Sequence, residues 1–549
     1  MFKLGIIPLG GLGRIGGNMM AYETPNDLII IDCGLQFPSE TEPGVDWLVP
    51  DWSYLEDRKE KLRGYIITHG HLDHFGALPF VVEELPAPIF ASEFTLAMIR
   101  QRLEDHGQNG DLRILRDGAD IPLGDFLIEA IPVTHSIPGS VALALKTPIG
   151  TLVHTGDFKI DPAPFDGRST DLHRLEQLGK EGVVALLSDS TNATKPGHTP
   201  SEKEVATSLS PLIKNAPFRV VITTFSSNVF RLQTIIRAAK ESGRKVIPLG
   251  RSVRQILNLS VDQGLIKVPS GFFAAPEDIE TLPASRICVL AAGCQGEPRS
   301  AMGRIVAGQY PSIQLNNTDR VIFSSPRIPG NERPVGEMVN TLLKNGIEVI
   351  EPSATNPIHA SGHAQNEEQV LLMKLCRPRF LIPLHGEMRH MHRHADLAKQ
   401  EGIETLVTSD GNPLVLEKKE DNLNLRRAKT IPAGFRYFQN DQEIDPIILL
   451  DRTILSRSGF VACSLSLSPE GRLLGEPMLD TRGIFYVDHH PELRQGAIEE
   501  IKAAFSKGRL ENSWESVHDR AKQAIKRYFR RELKMRPLIV ITIHGLRDD

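Results

Sequence analysis

The stretch Ile67-Thr-His-Gly-His-Leu-Asp-His-Phe-Gly76, ITHGHLDHFG, sets three histidines and an aspartate (His69, His71, Asp73, His74) directly behind an apolar run. Neutral imidazole suits zinc, and a carboxylate beside it suits a second hard or borderline cation. The mixture therefore favours zinc or manganese over calcium or a thiolate site. In a loop leaving a strand, alternate residues can point to two neighbouring positions, so this one segment can feed two metals.

Working outward, other short apolar runs also end in polar clusters: LIIIDCG at 28–34, FLIEAIPVTH at 126–135, TLVHTGDFK at 151–159 and VVALLSDSTN at 183–192. They read as buried strands of a layered α/β core, each delivering His or Asp at its C-terminal end, the edge where open α/β sheets place their sites. Two metals need roughly eight to ten ligands including water. The strand-end candidates are His135, Asp157 and His385. We assign His69, His71 and His135 to one metal, Asp73, His74 and His385 to the other, and Asp157 to both, because a carboxylate can bridge two cations and a single imidazole nitrogen cannot. Buried His and Asp in this number are costly unless something charged compensates them.

From about 203 the texture changes to RVVITTF, KVIPLG, RICVLAAG and RVIFSSP with amphipathic segments such as NVFRLQTIIRAAKESG between them, the βαβ pattern of a second, parallel sheet. His and Asp clusters return after 353, in NPIHASGHA and FLIPLHGEMRH, which implies one domain interrupted by another. The charged, turn-rich 418–445 region (EKKEDNLNLRRAK) reads as a linker to a small C-terminal α/β unit.

A chain of 549 residues with 40% apolar and 24% charged residues is globular and too long for one core. Its net charge of −5 carries no global basic signal. The five cysteines (Cys33, Cys288, Cys294, Cys376, Cys463) form no CxxC pair and read as reduced, buried thiols. The first residues, MFKLGIIPLGGLG, do not read as a secretory signal, and no apolar run is long enough to span a membrane, so a cytoplasmic location is expected.

HxHxDH followed by His135, Asp157 and His385 resembles the metallo-β-lactamase superfamily, and Asp189 in SDSTN, His363 in ASGHA and His385 in PLHGE resemble the extra motifs of its β-CASP branch, which cleaves nucleic acids. PLGGLGRIGGN, EPGVDWLVPD, THSIPGS, FSSNVFRLQ, GCQGEPRSAMGRI, IPGNE and RGIFYVDHHPEL are similar to the ribonuclease J family over nearly the whole chain; Arg14 and Gly17 depart from its pattern and replace no expected metal ligand. The resemblance implies an α/β fold: an αββα metallo-β-lactamase sandwich (1–202 and 356–440) interrupted by a parallel-sheet β-CASP domain (203–355), with a linker and C-terminal oligomerisation domain at 441–549. It implies a two-metal ribonuclease, 5′-to-3′ exonuclease with a preference for 5′-monophosphorylated ends and some endonuclease action, in RNA maturation and decay. Two zinc ions are the expected cofactors, with manganese or magnesium as substitutes. Single-stranded RNA, a homodimer or homotetramer and RNA-degradation proteins are the expected partners.

The same resemblance gives residues roles. Asp73 orients the nucleophile or takes its proton, His363 is general acid at the leaving oxygen, and Asp189 holds a histidine. Asp32 supports the HxHxDH loop. Ser226, Ser227 and Asn228 of FSSN, with Ser361, Gly362 and His363, bind a terminal phosphate through hydroxyl and backbone donors. The alternatives weighed are a DNA nuclease of the same branch, a lactam or thioester hydrolase, and a non-catalytic RNA-binding subunit. The C-terminal AKQAIKRYFRRELKMRP puts Lys522, Lys526, Arg527, Arg530, Arg531 and Lys534 on one helix, either a solvated face or a phosphate-attracting one. Gly11, Gly13 and Gly16 spell GxGxxG, but no room for a helix follows, so they read as a tight turn rather than a dinucleotide site. His390, His392 and His394 read as exposed helix surface, as do His489 and His490.

Overall fold

The computed structural model describes residues 2–39, 41–328, 330–353, 355–420, 422–485, 489–506 and 513–545. Residue 329 of IPGNE and residues 486–488 of RGIFYVDHHPEL lie outside them. Two compact units divide the chain, residues 1–37 with 48–436, and residues 38–47 with 437–549.

The larger unit holds two sheets that share one core. The first runs in the order Asn422–Arg427, Leu414–Lys419, Phe2–Gly10, Met19–Glu23, Leu28–Ile31, Leu62–Ile66, Ile89–Ala91, Leu112–Ile114. The second runs Glu404–Thr405, Phe380–Leu384, Val183–Asp189, Gly150–His154, Val141–Thr147, Phe126–Pro132, Asp120–Leu123. Alternation decides which side chains face inward: Leu4, Ile6, Ile29 and Ile31 from the first sheet meet Ile128, Leu143, Leu145, Leu187 and Ile382 from the second in one buried cluster. On the outer face of the second sheet, helices Leu172–Glu181, Asn366–Cys376 and Met388–Gln400 bury Leu175, Leu178, Leu372, Met373 and Leu397 against Val153 and Leu186. This is the αββα arrangement.

The reading of 418–445 as a linker is corrected at its start. Leu414–Lys419 and Asn422–Arg427 form an antiparallel hairpin that extends the first sheet through Leu416↔Leu4. The charges that suggest a linker lie on the hairpin's outer face, while Leu416 and Leu423 are buried. A period of two had been masked by the turn residues between the strands.

Between Val183–Asp189 and Phe380–Leu384, which pair in parallel, the chain builds a five-stranded all-parallel sheet in the order Lys245–Leu249, Ile287–Ala291, Val220–Thr223, Arg320–Phe323, Glu348–Ile350. Both faces are covered. Val220 and Ile222 pack with helices Glu202–Lys214 and Val229–Glu241, whereas Val221 packs with Ala301–Val306 and Glu332–Lys344. Near-continuous apolar strands are the consequence of burial on two sides.

In the smaller unit, Met478–Arg482, Phe460–Ser466 and Leu538–His544 form a three-stranded sheet whose one face is covered by helices Pro491–Ser506 and Trp514–Glu532. The second helix ends at Glu532, so Lys534 is not on it, contrary to expectation. Among the described residues no helix is long and apolar enough to cross a membrane. All five cysteines are free and buried.

Candidate metal centre

The parallel registers bring strand ends together at one edge of the sandwich. Ile31 pairs with Ile66, so Asp32 and the HxHxDH segment leave adjacent strands side by side; Asp189 pairs with Leu384, so His385 follows at the same level. A short helix, Leu72–Phe75, turns the segment, with His71 at its N-cap and the His74 N–H donating to the His71 carbonyl at 2.9 Å. Two non-glycine residues here have left-handed backbones, Asp32 (φ 60°) and His385 (φ 43°). Such conformations persist where surroundings over-determine them, often at functional sites. Asp32 accepts from the Thr68 N–H at 2.8 Å, from its hydroxyl, and lies 2.7 Å from His74 Nδ1, which fixes that ring and leaves Nε2 facing the cluster.

Three groups of ligand-type atoms converge: His69, His71, His135 and Asp157; Asp73, His74 and His385; and Asp157, Asp189, His363 and His385. His71 Nδ1 lies 3.0 Å from His69 Nε2 and 3.1 Å from His135 Nε2. Asp157 Oδ2 is 3.6 Å from His69, 3.7 Å from His135 and 3.3 Å from His74 Nε2, while its Oδ1 is 3.0 Å from His385 Nδ1. The carboxylate thus sits between the first two groups. Asp73 Oδ2 stands 3.7 Å from His74 and 3.5 Å from His385. Among the described residues, His385 Nε2 is buried and without a hydrogen-bond partner. Apposed imidazole nitrogens, a buried carboxylate and an orphaned ring nitrogen suit a divalent cation.

Electrostatics separates the groups. Burial pushes His69 and His135 well below the ordinary histidine range and His71 to about 4. Burial also opposes charge on His74 and His385, but Asp157 with Asp32 and Asp73 outweighs it at His74, and Asp157 with Asp189 and Asp73 outweighs it at His385, so both are held well above that range.

His363 lies beside the cluster. Its Nδ1 is 2.8 Å from Asp189 Oδ2, and Asp189 Oδ1 accepts from the Thr191 N–H and hydroxyl at 2.9 and 2.7 Å. The Gly362 carbonyl is 2.7 Å from His135 Nδ1, an approach open only to glycine, because a Cβ there would run into the His135 ring. Ser361 Oγ accepts from Asn192 Nδ2 at 2.9 Å. Ser226 and Ser227 sit on the turn after Val220–Thr223, and buried Asn228 caps the next helix, its Oδ1 accepting from the Arg231 N–H at 3.0 Å. Among the described residues, no hydrogen bond joins this turn directly to Ser361–His363.

Several contacts escaped the sequence reading. Asn18, at the end of PLGGLGRIGGN, places Nδ2 3.0 Å from His74 Nε2 and donates to the Asp73 carbonyl. Thr191 Oγ1 lies 3.2 Å from His385 Nδ1. Neither is a metal-ligand type, and only position in a Gly-rich or SDSTN motif could have flagged them. One expectation is corrected: His390 (6% exposed) and His394 (0%) are buried, the latter against Ser190 Oγ at 3.0 Å, because this helix face packs behind the ends of Val183–Asp189 and Phe380–Leu384; His392 alone is exposed. His489 and His490 are exposed. After Gly11, Gly13 and Gly16 comes the strand Met19–Glu23, not a helix. Arg14 pairs with Asp410 at 3.4 Å and stacks on Phe435, whose ring also closes over Gly17. On the C-terminal helix, Lys522, Lys526, Arg527, Arg530 and Arg531 are all exposed, with Arg527 and Arg531 facing Glu500.

Family models match the chain in four segments: the metallo-beta-lactamase superfamily over 12–204, the ribonuclease J beta-CASP domain over 217–342, a Zn-dependent metallo-hydrolase RNA specificity domain over 353–408 and the ribonuclease J C-terminal domain over 447–546. Ribonuclease J of Helicobacter pylori is 36% identical over 98% of this chain and 79% of its own length. Ribonuclease J of Thermus thermophilus is 35% identical over 98% and 95%, and ribonuclease J2 of Bacillus subtilis 31% over 97% and 97%. A crystal structure of an Enterococcus faecalis protein of unknown function shares the fold, with TM-score 0.54 at 16% identity over 76% of this chain and 100% of that one.

Proposed function

The chain belongs to the ribonuclease J family and is a metal-dependent ribonuclease, and from that premise we propose that it degrades single-stranded RNA from the 5′ end, preferring a 5′-monophosphate, with a second, endonucleolytic mode. The observation that carries this is the His/Asp cluster at the sandwich edge with the Asp189–His363 pair beside it. His69, His71 and His135 would hold one divalent cation, Asp73, His74 and His385 another, and Asp157 both; zinc is the metal proposed, manganese or magnesium its substitutes. When bound, the pair supplies Lewis-acid activation of water and charge neutralisation at the phosphodiester.

The chain's own groups do the rest. Asp73, 26% exposed where His74 and His385 are buried, is the ligand that meets the incoming water and takes or directs its proton. His363 gives a proton to the leaving 3′-oxygen. Burial disfavours its charge, but Asp189 and then Asp157 raise it above the ordinary range, so the proton is available near neutrality. Hydroxyls of Ser226, Ser227 and Ser361, the Asn228 amide and the backbone at Gly362 and His363 offer donors to a terminal phosphate.

We further propose the partition 1–202 and 356–440, 203–355, and 441–549 as functional domains, a homodimer or homotetramer working with RNA-degradation proteins in RNA maturation and decay, and a cytoplasmic location. The deciding experiment digests one labelled RNA bearing a 5′-monophosphate or a 5′-triphosphate with the wild type, His71→Ala and Asp73→Ala. Mononucleotides released fast from the monophosphate, slowly from the triphosphate and by neither variant support the reading. Equal rates on both ends remove the terminal-phosphate preference, and cleavage of DNA in place of RNA removes the substrate assignment.

A further inference from the structure

Arg231 is fully buried, an uncommon place for a guanidinium, and its fork reaches three separate segments of the larger unit. Nε and Nη2 meet the Glu202 carboxylate at 3.2 and 3.0 Å. Nη1 lies within hydrogen-bond distance of the Ser324 carbonyl (2.9 Å), the Ser324 hydroxyl (2.7 Å) and the Ile358 carbonyl (2.9 Å). The Ser324 hydroxyl donates to that same Ile358 carbonyl at 2.7 Å. Glu202 opens the helix Glu202–Lys214 and its N–H donates to Asp161, Ser324 follows the strand Arg320–Phe323, and Ile358 lies three residues before Ser361.

A buried ion pair stabilises little on balance, since desolvation consumes most of the attraction. What this one does is fix geometry. Ile358–His363 is tied at its far end by His135 to the Gly362 carbonyl and by Asp189 to His363, and at its near end only Arg231 and Ser324 hold the Ile358 carbonyl among the described residues. The Arg231 backbone N–H meanwhile engages the Asn228 side chain at the turn Ser226–Asn228. One residue therefore links two segments that share no direct hydrogen bond among the described residues.

We propose that Arg231 is a positioning residue: it holds the turn Ser226–Asn228 and the segment Ile358–His363 in register, so that terminal-phosphate donors and His363 act on one RNA strand. This rests on the ribonuclease reading above. The planar fork is essential, because a lysine can keep the charge toward Glu202 but cannot reach all three acceptors.

The test compares Arg231→Lys, Ser324→Ala and, as a control in the same helix and core, Ile235→Val. For each, kcat and KM are measured on one RNA carrying a 5′-monophosphate or a 5′-hydroxyl, with melting temperature and metal content alongside. Ser324→Ala is expected to lower kcat/KM on the monophosphate about 3- to 10-fold, the range of one hydrogen bond, and Arg231→Lys more, both shrinking the ratio between the two ends; Ile235→Val lowers the melting temperature and leaves the ratio unchanged. Folded, metal-loaded variants within twofold of wild type on both RNAs overturn the proposal, and Ser324→Ala decides alone if Arg231→Lys fails to fold. If the wild type itself ignores the 5′ end, the terminal-phosphate reading fails separately. Arg231 is then judged on kcat for the shared RNA, which falls if His363 is displaced and stays put if the role is purely structural.

Discussion

His69, His71 and His135 on one side, and His74 and His385 on the other, are imidazoles of one cluster whose affinities for a proton are shifted in opposite directions. His69 and His135 see a single carboxylate, Asp157, His71 sees Asp73 and Asp157, and burial wins at all three; the other two each see three carboxylates, which outweigh the same burial. The difference teaches that local carboxylate count, more than depth, sets what each half can hold. A three-nitrogen set suits zinc, whereas Asp73 adds a hard oxygen donor to the other half, which manganese or magnesium also accepts.

Removing what the halves share breaks the comparison most severely. Asp157→Asn is expected to empty both positions and cut activity about a thousandfold or more, since each metal contributes several kcal/mol; elemental analysis that still finds two metals per chain rules this out. His363→Ala comes next. It should cost about 100- to 1,000-fold in kcat with both metals retained, and loss of metal in that variant would move His363 from proton transfer into the coordination shell.

Chelation sharpens the contrast by stability. Each cation at a hundred times its Kd adds about 2.7 kcal/mol to the folded state, so stepwise chelation followed by calorimetry should show two losses, the half with Asp73 and His385 emptying first. A single transition would mean the halves load as one. The smallest effect is expected of Asn18→Ala, whose side chain among the described residues hydrogen-bonds at His74 and Asp73: about a tenfold weaker second metal and an unchanged first one, read by competitive zinc titration. Equal weakening of both would erase the distinction.

Much of this was legible beforehand because metal chemistry restricts residue types. HxHxDH, His135, Asp157 and His385 stand at the ends of apolar runs, and both the buried strands and the parallel insertion follow from that periodicity. The hairpin 414–427 was not legible, since its polar outer face and turn mimic a linker and only pairing with Phe2–Gly10 reveals the strands. His390 and His394 were misread because helical spacing identifies a shared face without telling which way it points. Asn18 and Arg231 act through contacts to residues far away in the chain, 56 positions for His74 and 127 for Ile358. No local pattern encodes such partners.

The pairing of Val183–Asp189 with Phe380–Leu384 across the whole insertion, and of Phe2–Gly10 with Leu414–Lys419, also sets a timetable. At about 5–20 residues per second of synthesis, the HxHxDH segment leaves the ribosome about 15–60 seconds before His385 does. From the synthesis of His135 onward the nascent chain carries His69, His71 and His135 together with Asp73 and His74, while His385 does not yet exist. The complete set of ligand residues therefore exists only once the strand Phe380–Leu384 and the residue after it have been made.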